Sequence, residues 1–259
     1  MKKINTKTKT QIELMVKGGR KLSMIKEKLI KEIKVGVSAE KIEKLANKLI
    51  SATGGKSSFK MVPGYSWATC INVGSGIVHG IPKKNIIFKK GDIVSVDVGL
   101  YYKGFHSDTS FTVAIDPSRA AKKFLNNGKN SLSKAIKKAV PGNRVYDISK
   151  TIQESLEENG LTPVRALVGH GIGKNLHEDP QIPCFTEGER EMSPILPEGA
   201  VLAIEVMYTK GNSDIVVEED GWTISTKNDK ISGLFEETVA VLGSGPLVLT
   251  KFAHSVSSN

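Results

Sequence analysis

An α/β fold made of two similar halves is the architecture this sequence predicts, on three observations. Two helical patterns are followed by a strand-rich stretch, and the same order then recurs. Turn glycines keep their place: Gly36 precedes Ile42 as Gly142 precedes Ile148, 106 residues on. Strand motifs do the same. Gly91-Asp92-Ile93-Val94-Ser95-Val96-Asp97 shares its pattern with Gly199-Ala200-Val201-Leu202-Ala203-Ile204-Glu205, 108 residues on. Two copies at so long a spacing imply a duplicated half-domain, not a solenoid. The duplication sets Asp97 against Glu205 across a pseudo-twofold axis.

Each element has its own local reason. Residues 1–9 are polar and lysine-rich, a flexible basic arm. Thr10 to Glu13 reads as a capping box for a helix reaching about Lys34, with Ile12, Met15, Leu22, Ile25, Leu29 and Ile33 along one side. Gly36 ends it. Ser38 caps a second helix, where Ile42, Leu45, Ala46, Leu49 and Ile50 recur at helical spacing until Thr53-Gly54-Gly55. Residues 57–115 are rich in β-branched residues and turns. Within them Val94, Val96 and Val98 alternate with Ile93, Ser95, Asp97 and Gly99, a pleated segment with one wholly apolar face. His106 to Val113 is a second strand. A turn at Tyr102-Lys103-Gly104 folds the two into a hairpin and brings Asp97 beside Asp108. A third helix follows Asp116-Pro117 and runs to about Val140, before Pro141-Gly142. A fourth spans about Val145 to Glu158, and residues 162–245 return to strands. The expected domain is a single catalytic unit over 10–248, with 249–259 as a C-terminal tail.

Composition narrows the setting. No run of about 18 apolar residues offers a transmembrane helix, and the N-terminus lacks the pattern of a secretory signal. Two cysteines, Cys70 and Cys184, make no disulfide framework, so a reducing cytoplasm is expected. The net charge is +10, and residues 1–60 carry 16 Lys/Arg against 5 Asp/Glu. That basic third predicts attraction to an anionic partner such as ribosomal RNA, unless it is only a solvated lysine-rich helix face.

The chemistry-bearing residues converge. Asp97 and Asp108 are carboxylates in strands, where close like charges require a proton or a cation between them. Glu205 stands in a strand with Val201, Ala203 and Met207. Glu236 and Glu237 are adjacent in a third strand, so only one of them joins the cluster. His170 is flanked by Gly169 and Gly171, His177 follows seven residues on, and His79 precedes Gly80-Ile81-Pro82. Four carboxylates with one imidazole suit Mn, Fe(II), Co or Zn in a catalytic role, whereas structural zinc favours cysteine. So much negative charge suits two ions sharing bridging carboxylates.

Gly91–Gly99, Asp108-Thr109, His170-Gly171-Ile172-Gly173 with His177-Glu178-Asp179-Pro180, Ile204-Glu205, Glu236-Glu237-Thr238, Gly221-Trp222-Thr223 and His79-Gly80-Ile81-Pro82 together resemble the type I methionine aminopeptidases. The resemblance covers about residues 10–248 and is to the short bacterial form of this M24 metallopeptidase family. It implies the pita-bread fold, a curved antiparallel sheet with pseudo-twofold helix–helix–strand halves. It implies removal of the initiator methionine from nascent polypeptide N-termini, when the second residue is small, by water activated between two divalent ions. It assigns metal ligation to Asp97, Asp108, His170, Glu205 and Glu236, with Asp108 and Glu236 bridging. His79 would contact the substrate near its amino end and scissile amide, His177 would stabilise the tetrahedral intermediate, and Glu205 would handle the proton of the water. Tyr65, Cys70 and Trp222 match pocket positions. Phe59 and Leu176 depart from the family, which commonly has Cys at the first position and Phe at the second; the sizes are exchanged. Gly74-Ser75 replaces the Asn-Glu of many bacterial members, and Cys184 has no assigned role. A monomer is expected. The competing readings are an X-Pro-cleaving relative, which usually carries an extra N-terminal domain, and a non-enzymatic pita-bread binding protein, whose relatives have lost the metal ligands.

Overall fold

A computed structural model of the chain describes residues 4–251. The first half contains helices α1 (Lys9–Glu32) and α2 (Ala39–Ala52). Strands β1 (Lys56–Ser57), β2 (Thr69–Val73), β3 (Gly76–Val78), β4 (Ile93–Tyr102) and β5 (Phe105–Ala114) follow. The second half repeats the order with α3 (Arg119–Ile136) and α4 (Val145–Glu157). Its strands are β6 (Thr162–Pro163), β7 (Val168–Gly171), β8 (Glu178–Pro183), β9 (Val201–Thr209), β10 (Ile215–Val217), β11 (Ile224–Thr226), β12 (Ser232–Ala240) and β13 (Leu247–Val248).

The main sheet runs β1-β4-β5-β12-β9-β7-β8 and is antiparallel along that path. The halves meet where β5 pairs with β12. Helices cover one face. Leu22, Ile25 and Leu29 of α1 and Ile42 of α2 pack with Val94, Val96 and Val98, the apolar face read from the alternation. In the second half Ile148 and Ile152 of α4 join Leu202, Ile204 and Val206 in the same way. The opposite face is left for the acids.

The repeat is visible bond by bond. The Gly36 N–H donates to the Phe88 carbonyl at 2.9 Å, and the Gly142 N–H to that of Leu196 at 3.1 Å. Ser38 bridges Ile87 as Arg144 bridges Ile195. The Gly91 N–H reaches the Ile115 carbonyl and the Gly199 N–H that of Val241, both at 2.8 Å. All four glycines have φ between +82° and +87°, the left-handed region that glycine enters at no steric cost.

Some boundaries differ from expectation. The capping box of α1 is Thr8 with Gln11, two residues earlier than Thr10 and Glu13, because Thr8-Lys9-Thr10-Gln11 satisfies the same pattern and adds half a turn. The arm is not loose over residues 4–8. Thr6 bridges Ala200, the Lys7 N–H donates to the Gly199 carbonyl at 2.8 Å, and Ile4 is buried; residues 1–3 lie outside the described residues. The third helix stops at Ile136, short of Val140. The tail begins later than 249, since Leu249 and Thr250 are buried against β12 and the Leu249 N–H bonds the Thr238 carbonyl at 2.8 Å. Residues 252–259 lie outside the described residues.

Candidate metal centre and substrate pocket

The hairpin turn at Tyr102-Lys103-Gly104 forms as the sequence requires, with Lys103 and Gly104 at positive φ and Tyr102 paired with Phe105. Its register sets Asp97 opposite Ser110 and Asp108 opposite Gly99, so the two aspartates are diagonal neighbours on one face. Across the pseudo-twofold axis Glu236 pairs with both Ser110 and Glu205. One row of the sheet therefore reads Asp97, Ser110, Glu236, Glu205. Strand alternation settles the choice between the two adjacent glutamates. Glu236 faces the row, while Glu237 turns to the helix side and bonds the Lys26 ammonium at 2.7 Å.

His170 enters from β7, opposite Ala203 of β9. Its Nδ1 lies 2.8 Å from the Gly171 carbonyl. That contact fits an Nδ1–H donor and leaves Nε2 as an acceptor, 3.6 Å from Glu205 Oε1. Ligand atoms of Asp108, His170 and Glu236 lie within 4.8 Å of one another. Asp97 is the diagonal neighbour of Asp108 and lines the same cavity.

Electrostatics shows what this arrangement demands. Burial pushes the Asp97 carboxyl up to about 7. Burial and neighbouring carboxylates push Asp108, Glu205 and Glu236 well above the usual carboxylate range. Burial lowers His170 to about 4, which keeps the imidazole neutral and ready to ligate. Asp97 Oδ1 and Glu236 Oε1 are buried without a hydrogen-bond partner among the described residues. Orphaned carboxylate oxygens facing one another are stable only with protons or cations between them. The donor set therefore fits divalent metal.

The row is braced from behind by groups to which the sequence alone gives no role. The Asp108 N–H donates to Thr238 Oγ1 at 2.9 Å, and the Thr238 hydroxyl donates to the Asp108 carbonyl at 2.7 Å. The Thr109 hydroxyl donates to the Glu236 carbonyl at 2.9 Å. Both threonines follow an acidic segment directly, but their partners lie about 130 positions away, and nothing local announces the pairing. Glu43 of α2 accepts from the Ala68 and Thr69 N–H groups at 2.8 and 3.0 Å and seats the start of β2.

Beside the carboxylates opens a cavity of about 270 Å³. It is lined by Phe59, Tyr65, Cys70, Leu176 and Trp222, by His79 and His177, and by Asp97, Asp108, His170, Glu205 and Glu236. Every residue singled out for the site thus lines one space, and Val62 and Val78 join them. Tyr65 packs edge-on against Trp222 with ring centroids 5.1 Å apart and donates its hydroxyl to the Thr69 carbonyl at 3.0 Å. His79, which lines the cavity, has φ +57°, an uncommon conformation for a residue with a side chain. His177 meets His170 edge-on at 4.6 Å. Gly74-Ser75 forms a well-tied turn: the Gly74 N–H bonds the Ile93 carbonyl at 2.9 Å, and its carbonyl accepts from Ser232 at 2.9 Å. Cys184 is a free thiol that packs under β9, its Sγ 3.4 Å from the Glu205 carbonyl.

Comparison with known proteins accounts for this geometry. The model of metallopeptidase family M24 matches residues 13–241, and the chain belongs to that family. A methionine aminopeptidase of Clostridium perfringens is 39% identical over 245 residues, 94% of this chain and 97% of that one. The crystal structure of a methionine aminopeptidase from Thermotoga maritima superposes with a TM-score of 0.92 at 39% identity, covering 96% of this chain and all of that one. Within the family the chain groups with the methionine aminopeptidases and is a metal-dependent aminopeptidase. A prolidase from Pyrococcus furiosus, 22% identical with a TM-score of 0.75, shares the fold. It spans 96% of this chain, which spans 66% of the prolidase.

Proposed function

We propose that the chain removes the initiator methionine from nascent proteins whose second residue is small, using two divalent ions. The supporting observation is the joining of four carboxylates and an imidazole to an aromatic-lined cavity of about 270 Å³. Asp97, Asp108, His170, Glu205 and Glu236 would hold the ions. Such ions, when bound, acidify water and polarise the scissile carbonyl.

The protein's own groups do the rest. Phe59, Tyr65, Cys70, Leu176 and Trp222 enclose the methionine side chain and exclude water from it. His79 orients the amino end of the substrate and the scissile amide. His177 donates a hydrogen bond to the carbonyl oxygen as negative charge develops there. Glu205 takes the proton of the attacking water on a carboxylate oxygen and returns it to the leaving amine. The outer cleft, lined by Leu167, Gln181 and Met207, receives the following residues.

This work belongs in the cytoplasm, by a monomer, where chains emerge from ribosomes. No helix among the described residues is long and apolar enough to cross a membrane. The exposed lysines of α1 and α2, Lys28, Lys31 and Lys41, supply a basic patch for ribosomal RNA. Lys26, which the charge count would add to that patch, is instead 1% exposed and paired with Glu237. The deciding experiment titrates metal-free protein with Mn, Fe(II), Co and Zn while following hydrolysis of Met-Ala-Ser and Ala-Pro. Metal-restored cleavage of Met-Ala-Ser alone supports the reading; cleavage of Ala-Pro, or of neither, refutes it.

A further inference from the structure

We propose that Lys7 is a positioning residue for the loop that presents Leu176 and His177, acting through its ion pair with Glu178. The inference deepens the function proposed above and rests on His177 donating to the developing oxyanion.

The loop between Gly173 and Glu178 is short and tied at both ends. At one end the His106 N–H donates to the Gly173 carbonyl at 2.7 Å. At the other, Glu178 joins two parts of the chain that are 171 residues apart. Its Oε1 accepts from the Asn175 N–H at 3.2 Å, and its Oε2 accepts from the Lys7 ammonium at 2.8 Å. Both side chains of the pair are sequestered, at 5% and 4% exposure. The ammonium also donates to the Asn5 carbonyl at 3.2 Å.

Two further observations show that the pair is built into the fold. A Cβ at Gly173 would lie 2.4 Å from Lys7 Cε and 2.7 Å from Glu178 Oε1, so the pair fills a niche that only glycine leaves open. Lys7 is itself immobilised, because its N–H bonds Gly199 while Thr6 bridges Ala200 at the start of β9. Lys7 thus connects the frame of the metal-bearing sheet to the histidine loop.

The imidazole of His177 has no hydrogen bond of its own among the described residues and touches the ring of His170 edge-on. Its place is therefore inherited from the loop. A donor to a developing oxyanion must sit within tenths of an ångström of its working position. Burial opposes ionisation of Glu178, yet its bonds from Lys7, Asn175 and Asn5 hold the carboxyl below the usual range. Burial also lowers the Lys7 ammonium, so the cost of the pair falls on the lysine. A cost of this kind persists where the geometry it secures is needed.

The test compares wild type, Lys7→Met, Glu178→Gln and the double variant, each loaded with the same metal. Glu178→Gln preserves shape and guards against a Lys7→Met protein that fails to fold. Each single change is expected to lower kcat for Met-Ala-Ser by about tenfold to 10²-fold, the scale of a misplaced catalytic group. KM and metal content should stay within about twofold, because the interaction serves the transition state. The double variant should be no worse than the poorer single one, as for residues acting as a unit. In metal-free protein, the His177 imidazole NMR signal, assigned by its loss in His177→Ala, should move and broaden in both single variants. Unchanged kcat together with an unmoved His177 signal overturns the inference. So does a fall in kcat that tracks metal loss, which would make the pair a support of the metal centre instead. Failure of wild type to cleave Met-Ala-Ser would defeat the aminopeptidase reading alone, and the NMR comparison would still decide the role of Lys7.

Discussion

The hairpin β4–β5 and the strand pair β9–β12 hold equivalent places about the pseudo-twofold axis, yet they supply different donors. The first half brings two aspartates, one from each strand of its hairpin. The second brings two glutamates that face each other in register, Glu205 and Glu236, and adds His170 from the flanking strand β7. In the first half, the flanking strand β2 carries Cys70 opposite Asp97, and Cys70 lines the pocket instead. The helices diverge as well. Lys26 of α1 reaches Glu237, while Leu132, 106 residues later in α3, is an ordinary core residue. Meanwhile the backbone bonds at Gly36 and Gly142, and at Gly91 and Gly199, stay matched. Main-chain pairing tolerates nearly any side chain, so a duplicated frame persists while its facing residues specialise. Neither half alone holds the donors for the site.

The largest expected effect comes from cutting the row where the halves join. Asp108→Ala should lower activity by orders of magnitude and reduce bound metal, since its removal leaves the other carboxylates poorly matched. Chelation of the wild type should do the same. Full activity of Asp108→Ala in the presence of chelator would break the comparison, because the second half would then suffice.

His177→Ala should cost about 10²–10³-fold in kcat with a small change in KM, the usual toll of one oxyanion donor. A kcat equal to wild type would make His177 a wall residue and leave the second half with ligands only.

The helix difference is testable by stability. Lys26→Met strands the Glu237 carboxylate, which keeps the Thr250 hydroxyl as a donor and can draw on the Thr109 hydroxyl only as that proton turns from the Glu236 carbonyl. Breaking a buried pair costs about 3–5 kcal/mol, and these remaining donors place the expected loss at the lower end. Leu132→Ala, at the equivalent place, should lose about 2–5 kcal/mol through its cavity. Chemical denaturation measures both. A neutral Lys26→Met would show that the lysine adds nothing a core side chain does not.

A subtler effect crosses the axis, because Phe59 comes from the first half and Leu176 from the second, and both line the same cavity. Their exchanged sizes roughly conserve volume, and such exchanges usually cost under ~1.5 kcal/mol. Phe59→Cys alone should widen the pocket and weaken the preference for methionine over longer or branched residues. Adding Leu176→Phe should restore selectivity. Strictly additive effects on Met-Ala-Ser hydrolysis would show that the two residues act apart.

The smallest effect on catalysis belongs to the surface. Reversing Lys28, Lys31 and Lys41 to Glu should leave peptide hydrolysis unchanged and fold stability within about 0.5 kcal/mol. Co-sedimentation with ribosomes at low salt should weaken. Absence of co-sedimentation by the wild type would remove the RNA-binding role from the first half.

What the sequence by itself determined was everything that repeats or alternates over a short range. The period-two run through Val94, Val96 and Val98 named the buried face of β4, and the turn at Lys103-Gly104 named its partner strand. The spacing of Gly36 from Gly142 and of Gly91 from Gly199 revealed the two halves, and the donor set revealed the metal chemistry. What only the tertiary structure decided was everything that depends on register or on burial. Glu236 faces the centre in place of Glu237 because the pairing of β12 with β5 joins strands far apart in the chain, and Asp97 meets Asp108 diagonally through a hairpin register that the turn residues alone leave open. Lys26 is a core residue and Lys7 a clamp because each meets a glutamate more than 170 positions away. A lysine in a helix or an arm looks solvated when read locally. Only the packing of the whole chain decides whether water or a carboxylate stands beside it.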